Sequence, residues 1–173
     1  MPKLTFTIQD QRPQANWCWA AVSASISDYF GAPAGPSGGP WQKCEVAQAV
    51  LGKANCCQNP TPESCDLDSD LTVGLAQVGH SAGDAVHGLP PGLFAYVKQE
   101  IDAKRPVVLR IGWYANPENG HFICLSGYDD SSGSQLVDVE DPYYGRLPSF
   151  DFTQLLIAYH NGAGGWTDTY PIS

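Results

Sequence analysis

Cys18 stands between two tryptophans in the run Gln14-Ala15-Asn16-Trp17-Cys18-Trp19-Ala20-Ala21, where an apolar helical pattern begins. Far downstream, Gly120-His121-Phe122 opens an apolar run, and Val137-Asp138-Val139-Glu140-Asp141-Pro142 closes another. A cysteine at a helix start, a histidine at the head of a strand and an aspartate at the foot of the next are the parts of a thiol nucleophile. Unpaired N–H groups and the dipole at a helix start favour a thiolate. An imidazole can hold the proton, and a carboxylate can fix the tautomer of that imidazole. Cys18, His121 and Asp141 are the candidate catalytic set.

Other residues compete for these roles. A lone buried cysteine is ordinarily a packing residue, so Cys18 draws its weight from the company of His121 and Asp141. Strand alternation puts Val137, Val139 and Asp141 on one face and Asp138 with Glu140 on the other. The valine face should be the buried one, which favours Asp141 and leaves Asp138 and Glu140 as solvent-facing charges. Gly120 would permit another segment, such as a helix end bearing a thiol, to approach closely. His80, His87 and His160 lie in or beside loops and read as solvated surface residues. Acyl transfer also needs donors for a developing oxyanion. The Cys18 backbone N–H is one, and Gln9, Gln11, Gln14 and Asn16 lie just upstream as sources of a second.

The elements that must hold these groups follow from periodicity and punctuation. Leu4 to Ile8 alternates as a short strand. Asn16 stands as the N-cap of a helix over 17–30, which Gly31 ends. Further helices are expected over 43–51, over 70–78 with Asp68 or Ser69 as cap, and over 91–103 with Pro91 in the first turn. Strands follow over 107–113, 121–128 and 135–140, then a short helix over 152–159 and a final extended piece. Helices first and strands second spell an α+β fold of two facing parts. The expected division is one domain over 1–173, with a helical lobe over about 14–104 and a sheet lobe over about 105–173.

Composition narrows the chemistry. The 173 residues are 43% hydrophobic and 11% aromatic, enough for a packed core. A formal net charge of −9 with no basic run excludes nucleic acid and an anionic membrane surface as expected partners. No apolar run is long enough to span a bilayer, and the first residues lack the apolar stretch of a secretory signal. Of six cysteines, Cys44, Cys56, Cys57 and Cys65 crowd a loop-rich stretch. They lack the paired C-x2-C knuckles of a zinc site. Two disulfides are expected there, with connectivity open except that Cys56 and Cys57 should not bond to each other. Cys18 and Cys124 remain, one as nucleophile and one as a core thiol. No metal and no organic cofactor is expected.

Asn16-Trp17-Cys18-Trp19-Ala20-Ala21 with Gly120-His121-Phe122 and Asp141-Pro142-Tyr143-Tyr144-Gly145 resembles the bacterial papain-like cysteine proteases. The branch it most resembles includes papain-like effector proteases of plant-pathogenic bacteria, related to staphopains and to the peptidase domains of bacteriocin exporters. The resemblance covers roughly residues 4 to 170. It implies a nucleophile helix in an N-terminal helical lobe packed against a C-terminal antiparallel sheet bearing histidine and aspartate. It further implies an endopeptidase that cleaves a protein or peptide substrate through an acyl-enzyme, with Cys18 as nucleophile, His121 as base and Asp141 as orienter. In that family the oxyanion glutamine usually lies six residues before the cysteine, where this chain has Arg12. Gln14, four before, is the preferred donor, and Gln11, seven before, the alternative. The expected setting is secreted or delivered into a host cell as an effector, with a proteinaceous inhibitor or immunity protein as a further partner. The alternatives are a Cys-His-Asp acyl transferase of transglutaminase type, or an inactive binding module on the same fold.

Overall fold

In the computed structural model, which describes residues 2–60 and 63–173, helix α1 (Cys18–Phe30) is the axis on which the other elements pack. Every residue from Cys18 to Ser27 is buried, and Ala20, Ala21 and Ala24 let neighbours approach from several sides. The buried Ser23 and Ser25 hydroxyls donate to the carbonyls of Trp19 and Ala21 at 2.8 and 2.6 Å, so their burial leaves no unpaired donor. Gly31 ends the helix in the left-handed region, at φ 74°, with its N–H on Ser27 O. Helices α2 (Lys43–Leu51) and α3 (Leu71–Gln77) pack on α1. Contact with α3 is closest at Gly74, where a Cβ would lie 2.5 Å from Ser23 Oγ. The α3 cap is Asp70, whose carboxylate accepts from Thr72 N–H at 2.6 Å, rather than Asp68 or Ser69.

The second half is a six-stranded antiparallel sheet in the order β1-β6-β2-β3-β4-β5. Its strands are β1 (Val86–His87), β2 (Val107–Trp113), β3 (Asn116–Asp129), β4 (Leu136–Asp141), β5 (Gly145–Asp151) and β6 (Gly164–Tyr170). Helix α4 (Leu93–Asp102) covers β2 and β3, while α5 (Phe152–Ile157) and α6 (Tyr159–Gly162) lie against β6. Helix α1 packs across β3, which brings the start of the helix that carries Cys18 to the strand that carries His121. The expected α+β arrangement, helices mostly first and an antiparallel sheet after them, is the one that forms.

Three departures have physical causes. The strand expected over 4–8 reduces to one bridge, Lys3 to Gly127, with Leu4 N–H on Ser126 O at 2.7 Å. Strand β2 begins at Val107 opposite Leu125, so only the last residues of β3 are open on that side. The chain then leaves the sheet as a strap: Gln9 N–H donates to Ser25 Oγ on α1 at 2.8 Å, and Gln11 N–H to Pro142 O at 2.8 Å. Strand β5 was not expected because Pro148 interrupts it; as an edge strand it tolerates a residue without an N–H. Strand β3 starts at Asn116 instead of His121, since an exposed polar hairpin extends it beyond the apolar stretch.

The cysteine cluster forms two bridges, Cys44–Cys57 and Cys56–Cys65, leaving Cys18 and Cys124 free. Neighbouring Cys56 and Cys57 therefore pair in opposite directions, one back to α2 and one forward to the segment before α3. Among the described residues no helix is long and apolar enough to cross a membrane.

Candidate active site

Cys18 is the first residue of α1, and its thiol lies beside the His121 ring, near enough to help raise the imidazole's pKa. On the far side of the ring, His121 Nε2 meets Asp141 Oδ1 at 2.8 Å. With Nε2 engaged by the acid, Nδ1 is the nitrogen left to face the thiol. The β3–β4 register sets Cys124 opposite Glu140, which leaves Asp141 at the strand end within reach of His121. The structure thus brings Cys18, His121 and Asp141 together at one end of the sheet.

Asp141 is the most fully satisfied of the acids in β4. Besides His121, its Oδ1 accepts from the Tyr143 and Tyr144 N–H groups at 2.7 and 2.9 Å, and its Oδ2 from the Tyr159 hydroxyl at 2.6 Å. Burial alone would raise its pKa, but the hydrogen bond and charge of His121 and the bonds from Tyr159 and Tyr144 carry it below the ordinary carboxylate range. Burial likewise opposes a charged His121, yet the bonds and charges of Asp141 and Cys18 outweigh it and lift the ring to about 9. Near neutral pH the imidazole is therefore held as imidazolium. Trp113 lies nearly parallel to it, with centroids 6.2 Å apart, and Tyr144 meets it edge-on at 6.5 Å.

These groups line a cleft of about 670 Å³. Gln11, Ala15, Asn16, Cys18 and Trp19 form one wall; Trp113, Gly120, His121, Phe122 and Tyr144 belong to the other. Of the two glutamines weighed as oxyanion donors, Gln11 borders the cleft and Gln14 does not. Gln14 is buried and offers its carbonyl to Gln11 Nε2 at 3.2 Å, while Ala15 O takes the same nitrogen at 2.8 Å. The Gln11 Oε1 is buried without a partner among the described residues.

Several expectations about nearby residues need correction. Asp138 and Glu140 are 3% and 2% exposed and do not face solvent. Strand β4 lies between β3 and β5, and Arg146 from β5 reaches Asp138 at 3.0 Å and Glu140 at 3.5 Å. Ser149 N–H and Ser126 Oγ complete their hydrogen bonding. His80 is also buried, its ring nitrogens against Ser173 O and Ala32 O. His87 and His160 are exposed, as expected, although they lie in β1 and α6. Asn16 is not the cap of α1, a place taken by Trp17. Instead Asn16 Nδ2 donates to Asp66 O at 2.9 Å. Gly120 makes room not for the thiol-bearing helix but for Arg110, whose guanidinium a Cβ would strike.

Tyr159 was not foreseen as a partner of Asp141. Nothing in the local pattern marks Tyr159, which reaches Asp141 only through the turn at the end of α5. The Tyr143 and Tyr144 N–H contacts did carry a signal: an aspartate two and three residues before them is the pattern of an Asx turn.

Fold and cleft together define a class, a papain-like α+β protein with a thiol at a helix start beside a buried imidazole. The chain belongs to the Peptidase_C39 like family, which it matches over residues 3–161. No curated protein matches it. The family suggests cysteine peptidase activity on a protein or peptide.

Proposed function

We propose that the chain is a cysteine endopeptidase, acting as one domain, that hydrolyses peptide bonds through a Cys18–His121–Asp141 triad. The observation that carries this reading is the buried His121 ring, bonded to Asp141 at 2.8 Å with the Cys18 thiol beside it in the same cleft. Cys18 gives its thiol proton to His121, and its Sγ attacks the scissile carbonyl carbon. The oxyanion is met by the Cys18 N–H, which as a first-turn amide has no intrahelical acceptor. Gln11 is the second donor in this reading, in preference to Gln14, because it alone of the two borders the cleft. Its longer bond, 3.2 Å to Gln14 O, is the one an oxyanion would replace.

As the tetrahedral intermediate collapses, the C–N bond breaks and His121 gives its proton to the leaving amine. The neutral imidazole then takes a proton from water, whose oxygen attacks the thioester. Collapse returns Cys18 as thiolate and His121 as imidazolium. Asp141 holds the ring's tautomer throughout and stays ionised. The two disulfides suit assembly in an oxidising compartment, which supports a protein that leaves the cell that makes it, as a secreted or delivered effector. A proteinaceous inhibitor or immunity protein remains part of this proposal.

Digestion of a proteome-derived peptide library, with new termini read by mass spectrometry, tests the reading. New free carboxyl termini that vanish in Cys18→Ala are expected. Products carrying an added primary amine would assign acyl transfer instead, and no products at all would leave a binding module.

A further inference from the structure

The three residues Cys65, Asp66 and Leu67, the first of them a half-cystine of the forward disulfide, form a rail for the chain that leads into α1. Trp17 Nε1 donates to Cys65 O at 2.6 Å and Trp19 Nε1 to Leu67 O at 3.1 Å. Between them, the Asp66 carboxylate accepts the Ala15 and Asn16 N–H groups at 3.0 and 2.8 Å, one on each oxygen. A carboxylate that spans two successive amides fixes the plane of the peptide between them. The Ala15 carbonyl belongs to that peptide, and it is the closer of the two acceptors that hold Gln11 Nε2. Asp66 thus sets Ala15 O, and Ala15 O sets the Gln11 amide. The rail is itself fixed by the Cys56–Cys65 bridge, whose two half-cystines are fully buried.

We propose that Asp66 is a positioning residue for the oxyanion side of the cleft, acting through the Ala15–Asn16 peptide on Gln11. This rests on the peptidase reading of the cleft. Asp66 touches neither Cys18 nor His121, and the indole bonds that hold the start of α1 go to main-chain carbonyls that no substitution at Asp66 removes. The proposal therefore separates two chemistries. Alkylation of Cys18 by iodoacetamide needs the thiol and His121 but no oxyanion donor. Peptide hydrolysis needs all three.

The test compares the wild-type chain with Asp66→Ala and Asp66→Asn, each with both disulfides verified by non-reducing peptide mapping. For Asp66→Ala, kcat on a cleaved library peptide should fall by about 10- to 100-fold, the scale of a misplaced oxyanion donor, with KM within about twofold. Iodoacetamide should alkylate Cys18 within about twofold of the wild-type rate. Asp66→Asn keeps one oxygen acceptor and should recover part of the loss. Unchanged kcat, a rise in KM alone, or alkylation falling in step with kcat would each overturn the proposal, the last by making Asp66 a general support of the fold. If Asp66→Ala fails to fold, Asp66→Asn decides by the same criteria, with a kcat loss of at least about threefold required. A wild-type chain that cleaves nothing would overturn the peptidase reading and this inference with it; an active wild type with indifferent variants would overturn this inference alone.

Discussion

The two halves of the cleft are built by different means. The half that carries His121 and Asp141 is sheet work: the two sit on adjacent strands, and the aspartate collects hydrogen bonds from a turn and a buried tyrosine. The half that carries Cys18 is strap and loop: Gln11 hangs from Pro142 and Ala15, and the start of α1 hangs from the rail that begins at Cys65. Strands fix side chains by a repeating ladder, so one strand's position determines its neighbour's. A strap has no repeat and needs a separate hydrogen bond for each residue it places. The first half should therefore tolerate substitution outside its named groups, while the second should respond to changes several residues away from the reacting atoms.

The largest expected effect tests the sheet half. Asp141→Asn should cut kcat by about 10⁴-fold with the fold retained, because the amide no longer favours the working tautomer. The pH profile gives the sign. Asp141 and Cys18 raise His121 from 6.5 to about 9, so kcat/KM of the wild type should fall on the alkaline side as pH passes about 9. The same shift makes a stability term that is fully present below pH 6.5 and lost as pH rises through about 9. Removing the carboxylate lowers the ring's pKa, so the alkaline limb of Asp141→Asn should move to lower pH. A limb that stays near 9 would mean that another group holds the imidazolium.

Next comes the strap. Gln11→Ala should reduce kcat by about 10²- to 10³-fold, the loss typical of one oxyanion donor, with iodoacetamide still reacting at Cys18. Gln14→Ala keeps the carbonyl that Gln11 uses and should cost far less. The reverse ranking in steady-state kinetics would return the role to Gln14.

This contrast also explains what could be read in the sequence. Alternation and punctuation were enough to put His121 and Asp141 on successive strands, and the structure brings their side chains to 2.8 Å. The helix over 17–30 was equally legible, because Gly31 and the apolar spacing mark it. Alternation failed at Asp138 and Glu140 because it presumes one wet face, whereas β4 has Arg146 on one neighbour and Ser126 on the other. The strap was illegible for a different reason: its residues are placed by single long-range bonds, such as Ala15 and Asn16 to Asp66, and no local pattern encodes a partner some fifty positions away. Cys124, by contrast, is the core thiol that was expected. It is as buried as any core residue, and burial with the nearby Glu140 and Asp141 pushes its thiol well up, so its chemistry is opposite to that expected of a thiol beside an imidazolium.

A smaller effect probes the support behind the acid. Tyr159→Phe removes the hydroxyl on Asp141 Oδ2 and leaves a buried acceptor unpaired, at a cost of about 1–3 kcal/mol in stability. The bonds from His121, Tyr143 and Tyr144 all fall on Oδ1 and remain, so kcat should drop by only about tenfold or less. Asp141 would lose one of the bonds that lower its pKa, and the acid limb of stability should begin at higher pH on titration. A loss as large as that of Asp141→Asn would make the tyrosine indispensable to the orientation of the acid.

The smallest effect on turnover is expected at Asp138, three residues before Asp141 on the same strand and likewise buried. Its carboxylate is engaged by Arg146, Ser149 N–H and Lys3, all away from the cleft. Asp138→Asn keeps an acceptor for Ser149 but weakens the pairing with Arg146, whose guanidinium is largely exposed and can be solvated. Stability should fall by about 1–3 kcal/mol, read as a lowered urea midpoint with an unchanged slope. Turnover should remain within about threefold, because the sheet ladder that carries Asp141 is held by backbone bonds the substitution does not touch. A collapse of kcat in a variant with normal melting would instead place Asp138 in the triad. A collapse of both would show that β4 is positioned by its buried ion pairs, and the sheet half would then be as dependent on single bonds as the strap.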